Sequence, residues 1–288
     1  MDKICDLHLH SSASDGTLSP AELARAAREA GVSAAALTDH NTIRGVEEYM
    51  EAASALGLEG VAGVELACDY KDREVHILGL FLPRRSWDVI RSWLAGWEEG
   101  KRISNRLLEQ RLRAAGIAVS LEEMAVRYPG SRINRVHFAR ELCRLGVCAD
   151  IRRAFAEYLG EDGGYYTPAP RPTAEEALRA IRSWGGVPVL AHPPINVSRE
   201  EIPAYLAWAR ERGAAAAEVY YSGYDRETHE RMKRLCREAG LRESGGSDFH
   251  GANKPDIHIG TGKGNLHIPY EICEKLRSEE KKWNDSFV

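Results

Sequence analysis

The sequence predicts an α/β fold interrupted by a helical insertion. Three observations predict it. Short apolar runs alternate with amphipathic helical patterns up to Pro83, the alternation then gives way to a long arginine-rich helical stretch, and it resumes at Thr173. Cys5–His10 is the first strand, its side chains alternating before the turn-rich loop Ser11–Gly16. Ser19-Pro-Ala-Glu22 combines a capping box with proline at the first helical position, so a helix follows and stops at Gly31. Ala34–Thr38 is a buried strand, Val46–Leu56 a helix, and Val61–Leu66 and Val75–Leu82 two further strands of an expected parallel βα repeat. From Trp87 to Tyr158 the pattern is helical, with Arg91–Ala115 and Val136–Leu145 as its main helices and Leu107, Leu108, Leu112, Phe138, Leu142 and Leu145 as apolar anchors. Gly163–Pro172 reads as a linker or lid. Helix Thr173–Trp184, strand Val187–Ala191, a helix opened by Ser198 and Glu201, strand Ala214–Tyr220, helix Arg226–Ala239 and strand Leu241–Ser247 complete the order. The expected division is 1–83 with 171–288 as one α/β unit and 84–170 as the insertion.

Composition excludes several classes. At 288 residues with 43% hydrophobic and 28% charged content, the chain buries a full core, which rules out disordered and collagenous readings. Lys and Arg total 39 against 43 acids, for a net charge of −4, so long nucleic acid is disfavoured as the main partner. The cysteines Cys5, Cys68, Cys143, Cys148, Cys236 and Cys273 form no CxxC pair, as reduced thiols in a cytoplasmic protein would. No apolar run approaches the roughly 18 residues of a membrane span. The start MDKICDLHLH has no secretion-signal pattern. A soluble chain, complete from its first residue and with no membrane partner, is expected.

The histidines carry the chemistry. His8 and His10 stand two apart on the first strand and so point to one side, and Asp248 and His250 repeat the device after the strand ending at Ser247. His40, Glu65 and His192 each close an apolar run, Asp15 lies in the first loop, and His76 sits inside EVHILGL, where a polar ring needs a partner. Strand ends of parallel α/β folds share one face, so these groups are expected to converge. Each alone has a plainer reading: Asp15 as a turn residue in SDGT, His40 as a helix cap, His76 as a core histidine. Together, six of the ten histidines and three carboxylates at strand ends point to a metal site. Mixed imidazole and carboxylate donors suit manganese, iron or zinc, and clustered divalent ions suit phosphoester hydrolysis.

The segments DLHLHSSASDGTLSP, ALTDHNTIRG, GVEL, HILGL, AHPP and GGSDFHG, running from Asp6 to Gly251, resemble the successive motifs of the polymerase and histidinol phosphatase (PHP) family. The similarity is greatest to a stand-alone branch with a helical insertion, which includes nucleoside 3',5'-bisphosphate phosphatases and a phosphodiesterase of cyclic phosphoribose phosphate. The resemblance implies a distorted (β/α)7 barrel holding two or three divalent ions, Mn2+ foremost, with iron or zinc as alternatives. It implies that His8, His10, Glu65 and Asp248 hold one ion and that Glu65, His76 and His192 hold a second. Asp15, His40 and His250 would hold a third, Asp15 standing where other members have histidine. A metal-bridging hydroxide would attack phosphorus, with Asp248 or His192 shuttling the proton. Asn134–Arg140 resembles the family's Arg-x-His-Phe-Ala-Arg stretch, which implies phosphate binding by Arg135 and His137; read from the residues alone, it is a charged helix start with Phe138 packed inward. The implied substrate is a small phosphorylated metabolite or nucleotide. The alternatives are a 5'→3' exonuclease on short RNA and a non-catalytic module that binds metal and phosphate.

Tyr165 and Tyr166 read first as packing of the returning linker and second as a lid. Tyr220 and Tyr221 are candidates to border the pocket, and His229 is expected on a solvated helix face. His258 and His267 have no evident partner. GTGKGN (Gly260–Asn265) lacks the spacing of a P-loop, and the tail SEEKKWNDSFV reads as a solvated helix end.

Overall fold

A computed structural model describes residues 3–160 and 164–285. Gly163, the first linker residue, and residues 286–288 of the tail lie outside the described residues, as do the side chains of 280–285. Strands β1 (Cys5–Leu9), β2 (Ala34–Leu37) and β3 (Glu59–Ala62) form a parallel sheet, crossed by helices α1 (Pro20–Glu29) and α2 (Val46–Ala55). The expected capping box opens α1: Ser19 Oγ accepts from Glu22 N–H while the Glu22 carboxylate accepts from Ser19 N–H.

The run expected as one strand over Val61–Leu66 breaks in two. Gly63 separates β3 from β4 (Val64–Tyr70), and a Cβ there would lie 2.9 Å from the Leu37 carbonyl oxygen, so the kink admits glycine only. The next departure is one of direction. β4 and β5 (Arg73–Leu80) form an antiparallel hairpin, and β5 also runs antiparallel to β6 (Val187–Ala191). The cause is local: Lys71 and Asp72 both take positive φ, 50° and 61°, the pair of left-handed residues that a tight hairpin turn requires. β7 (Ala216–Tyr221) and β8 (Arg242–Gly246) restore the parallel sense.

Between β5 and β6 the chain forms α3 (Trp87–Ala114), α4 (Leu121–Arg127), α5 (Arg135–Arg144) and α6 (Ile151–Ala154), then a π-turn over Phe155–Leu159 and α7 (Ala174–Ser183). No strand occurs among the described residues of this stretch before β6. Leu108, Leu112, Met124, Phe138 and Leu142 bury together in an apolar cluster of their own, while Leu107 and Leu145 stay partly exposed. The short helix α8 (Pro193–Asn196), α9 (Ile202–Glu211), α10 (Arg226–Glu238) and α11 (Tyr270–Asp285) follow the later strands. No helix among the described residues is long and apolar enough to cross a membrane.

The two sheets meet at both edges through single contacts, not through a closed ladder. Asp248 N–H donates to His8 O (2.9 Å) and His10 N–H to Phe249 O (3.0 Å), joining β1 to the end of β8. Asn41 N–H donates to Glu65 O (2.7 Å), joining the end of β2 to β4. These two seams bring the ends of β1, β2, β4, β6 and β8 to one place.

Candidate active site

Side-chain alternation on β1 turns Asp6, His8 and His10 to one side while Cys5, Leu7 and Leu9 enter the apolar core. His8 and His10 are fully buried, their rings 5.0 Å apart. Asp248 and His250 arrive across the β8 seam and His40 across the β2 seam. His76 arrives by a route that the sequence pattern hid. It lies within antiparallel β5, opposite Ala67 on one side and Ala191 on the other, which sets it level with the end of β6 and with His192.

Glu65 is the hub. Its Oε2 lies 3.2 Å from His8 Nε2, 3.2 Å from His10 Nε2 and 3.1 Å from His40 Nδ1; its Oε1 lies 2.8 Å from His76 Nδ1 and 3.1 Å from His192 Nε2. Asp248 Oδ1 is 3.3 Å from His10 Nε2 and 3.7 Å from His8 Nε2. Asp15 faces His250 (3.3 Å), His40 (3.8 Å) and His10 (3.8 Å). All nine sequence-predicted metal positions therefore converge: seven fall in overlapping groups of donors within 4.8 Å, His8–His10–Glu65, His40–Glu65–His76 and His10–Asp15–His40–His250, while Asp248 adjoins them at His10 and His192 at Glu65.

The donor set fits divalent cations. Four of its buried atoms, His8 Nε2, His10 Nδ1, His10 Nε2 and Glu65 Oε2, have no hydrogen-bond partner, although some approach one another at 3.2 Å. Close approach without hydrogen-bond geometry is what ligands of a shared ion show, and buried polar atoms are otherwise paired. The tautomers agree. His8 Nδ1–H donates to Glu218 Oε1 (2.9 Å), His192 Nδ1–H to Asn196 Oδ1 (2.9 Å) and His250 Nδ1–H to Asp248 O (2.9 Å). Each bond leaves the Nε2 lone pair facing a carboxylate, the anchoring usual for metal-binding imidazoles. His76 is turned round: its Nε2 meets Glu74 (3.2 Å) and its Nδ1 meets Glu65.

Electrostatics point the same way. Burial disfavours ionisation of Asp15, Glu65 and Asp248, yet their histidine neighbours, joined at Asp248 by Lys254, hold all three well below the usual carboxylate range. Burial also opposes charge on His10 and His76, but the carboxylates close to them, Asp248 and Glu65 at His10 and Glu65 and Glu74 at His76, lift them to about 9 and about 10. His8 is raised as well, by Glu218 and Glu65 against its burial. Protons thus hold the places of cations at His8, His10 and His76, whereas burial pushes His40 down to about 3 and, with Lys254, lowers His250, so those two imidazoles stay neutral.

Beside the cluster opens a cleft of about 220 Å³, lined by Asp15, His40 and His76 on the cluster side and by Lys101, Arg132, Arg135 and Arg171 on the other. Glu74 pairs with Arg135 Nη2 (3.2 Å) and closely with Arg171 Nη1, while Arg171 Nε also pairs with Asp69 (2.8 Å). Burial, then repulsion from Arg135, pulls the Lys101 ammonium down to about 7. Arg135 lies over the Tyr166 ring at 4.5 Å, so Tyr166 is a buried platform for the arginine and Tyr165 packs on Tyr158; neither forms a lid. His137 is buried behind the cleft and serves the α5 capping box, its Nδ1 accepting from Asn134 N–H (3.2 Å); burial lowers it to about 4. Arg140 Nε donates to Asn253 Oδ1 (2.6 Å).

Tyr221 borders the site, donating to Asp248 Oδ2 (2.8 Å), whereas Tyr220 turns to Glu243. His229, expected on a solvated face, is half-buried, with Nε2 against the Tyr221 backbone, 3.2 Å from its O and 3.4 Å from its N, because α10 packs that face on β7. His258 and His267 are exposed, away from the cluster. Sequence reasoning missed Glu74, Lys101, Arg132, Arg171, Glu218 and Lys254. Two had a signal: Glu218 is a single acid in the apolar run AAAAEV, and Glu74 shares His76's face of β5.

Residues 6–160, more than half of the 288, match the PHP domain family. The chain belongs to this family. Over 87% of its length this PHP protein is 32% identical to a 5'-3' exoribonuclease of Haemophilus influenzae, covering 91% of that protein. It is 31% identical over 88% of its length to a 3',5'-nucleoside bisphosphate phosphatase of Chromobacterium violaceum, covering 90% of it. It is 29% identical over 88% to a phosphoribosyl 1,2-cyclic phosphate 1,2-diphosphodiesterase of Eggerthella lenta, covering 97% of it. Its fold matches an amidohydrolase from C. violaceum solved with bound sulfate at a TM-score of 0.85 and 30% identity, across 95% of this chain and 96% of that one. The PHP protein is a metal-dependent phosphoesterase, a hydrolase of phosphoric ester bonds.

Proposed function

We propose that this enzyme hydrolyses a small metabolite carrying two phosphate groups, a nucleoside 3',5'-bisphosphate or a cyclic phosphate of phosphoribose. The observation that carries the proposal is the cleft beside the cluster, where Lys101, Arg132, Arg135 and Arg171 outnumber the acids paired with them, Glu74 on Arg135 and Arg171 and Asp69 on Arg171. A scissile phosphate at the histidine cluster leaves a second phosphate to meet those cations, and guanidinium groups suit it by their fixed pairs of donors. His8, His10, Glu65 and Asp248 would hold one ion, Glu65, His76 and His192 a second, and Asp15, His40 and His250 a third, with Mn2+ favoured. Such ions supply ionisation of water near neutral pH and neutralise phosphoryl oxygens.

The chain's own groups do the rest. Arg135 donates to phosphate, and His137 helps by fixing the cap at the start of α5. Of the two candidate proton carriers, Asp248 is the one joined to groups that hold protons, its Oδ2 accepting from Tyr221 and from Lys254 Nζ (2.5 Å). His192 has Nδ1 committed to Asn196, so its role is that of a ligand. The same reading takes the two joined sheets as a distorted (β/α)7 barrel, 1–83 with 171–288, roofed by 84–170.

A second reading, a 5'→3' exonuclease on short RNA, is favoured by one feature. A larger cleft of about 740 Å³ adjoins the first and shares Lys101 and Arg132 with it. The test is phosphate release by manganese-loaded protein from adenosine 3',5'-bisphosphate and 5-phosphoribose 1,2-cyclic phosphate, beside digestion of a 5'-phosphorylated oligoribonucleotide. Turnover of either small substrate with an inert oligonucleotide supports the proposal; efficient digestion of the oligonucleotide alone refutes it in favour of the second reading.

A further inference from the structure

We propose that Glu218 is a positioning residue that couples the first two ion sites through a single carboxylate. Resting on the assignment of His8 and His192 as ligands, the inference concerns a side chain that approaches neither the cleft nor substrate. Glu218 is fully buried in the middle of β7. Its Oε1 accepts from His8 Nδ1–H at 2.9 Å, and its Oε2 accepts from the backbone N–H of His192 at 2.7 Å. The first bond fixes the His8 tautomer, so that the Nε2 lone pair points to Glu65 and Asp248. The second acts where the backbone is unusual, since His192 has φ of 30° and enters α8 through the left-handed region. A Cβ atom disfavours that conformation, and an anchored N–H holds it.

A carboxylate is required because both partners are donors. A glutamine in the same place accepts at one end and donates at the other, so in either flip its amide N–H faces a buried N–H. An outer carboxylate of this kind typically changes metal affinity by about 10- to 100-fold. Since His8 belongs to the first site and His192 to the second, losing Glu218 weakens both sites together.

The test is manganese titration of metal-depleted full-length protein, following free Mn2+ by electron paramagnetic resonance, for wild type, Glu218→Gln, Glu218→Asp and Ser244→Ala. Ser244 is the buried β8 neighbour of Glu218 and its hydroxyl makes no hydrogen bond to a proposed ligand, so its replacement reports what a change beside Glu218 does without loss of the carboxylate. The expected result is about 10- to 100-fold weaker binding at the two tightest sites in Glu218→Gln, with a native far-UV circular dichroism spectrum, and unchanged binding in Ser244→Ala. Should Glu218→Gln not fold, Glu218→Asp, which keeps two acceptors at shorter reach, is expected to show the same loss in weaker form. Wild-type affinity in folded Glu218 variants, or equal loss in Ser244→Ala, overturns the proposal. A wild type that takes up no manganese overturns the ligand assignment as well, and so is told apart from failure of Glu218 alone.

Discussion

Removing metal should make this protein less stable as pH rises from neutral to 10, and the structure gives both sign and size. In the metal-free protein His10 is lifted from 6.5 to about 9 and His76 to about 10 by the carboxylates around them. A base whose folded pKa exceeds its unfolded value contributes stability that is complete below 6.5 and is lost as pH climbs through the folded value. Lys101 acts in the opposite sense. Its folded pKa is pulled from 10.5 to about 7, so between these values the unfolded chain binds the extra proton and stability rises with pH. His76 and Lys101 nearly cancel, leaving His10, with His8 adding in the same direction. At roughly 1.4 kcal/mol per pKa unit, the His10 shift corresponds to a loss of about 3 kcal/mol, a large share of the 5–15 kcal/mol that a typical domain has.

The assay is urea denaturation of chelator-treated protein at pH 6.5, 8 and 9.5, followed by far-UV circular dichroism, with manganese-loaded protein in parallel. The metal-free midpoint should fall with pH. The loaded protein should fall less over the same range, because bound ligands release their protons and affinity strengthens as proton competition fades. The part of the fall that both forms share, above about pH 8.5, comes from the thiols of Cys5, Cys68, Cys236 and Cys273, which burial pushes up. A metal-free midpoint that stays level or rises from 6.5 to 9.5 would refute the view that buried protons occupy the places of cations.

Three other outcomes follow. Arg171→Ala should raise KM for a two-phosphate substrate by at least about 10-fold while kcat changes less, the pattern of lost substrate binding, checked by steady-state kinetics. Phe138→Ala, which empties the centre of the insertion's apolar cluster, should cost about 3–5 kcal/mol, read from the denaturation of that variant. Gly246→Ala should impair folding or metal uptake, seen as lost expression or lower bound manganese, because a Cβ there would lie 2.2 Å from His8 Cβ and 2.5 Å from His8 N.

The histidine and carboxylate cluster was legible because its members fall in local patterns. His8 and His10 sit at period two on an alternating strand, and Asp248 and His250 repeat it. Residues whose role depends on distant partners left fainter marks. The β4–β5 hairpin reversed the expected strand direction through Lys71 and Asp72, which are not the glycine or asparagine that usually announces such a turn. Lys101 and Arg171 are single cations on a charged helix and in a proline-rich segment, and nothing in spacing tells them from solvated neighbours. Only the return of residues 164–172 onto α3 puts them on one wall with Arg135. Glu218 differed, since an acid in the middle of an apolar strand must be paired and therefore signals a buried partner.

The buried carboxylates divide into two kinds. Asp6 and Asp39 lie fully buried beside the cluster, yet burial raises both, Asp39 to about 6. Their oxygens are occupied by hydrogen bonds from the chain: Asp6 accepts from Ser247 N–H and Gly260 N–H, each at 2.8 Å, and Asp39 from Ser11 N–H (2.8 Å), Ser11 Oγ (2.6 Å) and Ser14 Oγ (2.6 Å). These bonds tie down the loops that carry Asp15 and Asp248. Asp15, Glu65 and Asp248 are shifted the other way and keep oxygens turned to imidazole nitrogens. Carboxylates driven in opposite directions within one small volume perform different tasks. One kind, bonded to the backbone and hydroxyls of the chain, builds the frame; the other keeps its charge, matched by protonated imidazoles and by Lys254 at Asp248, where cations could replace the protons.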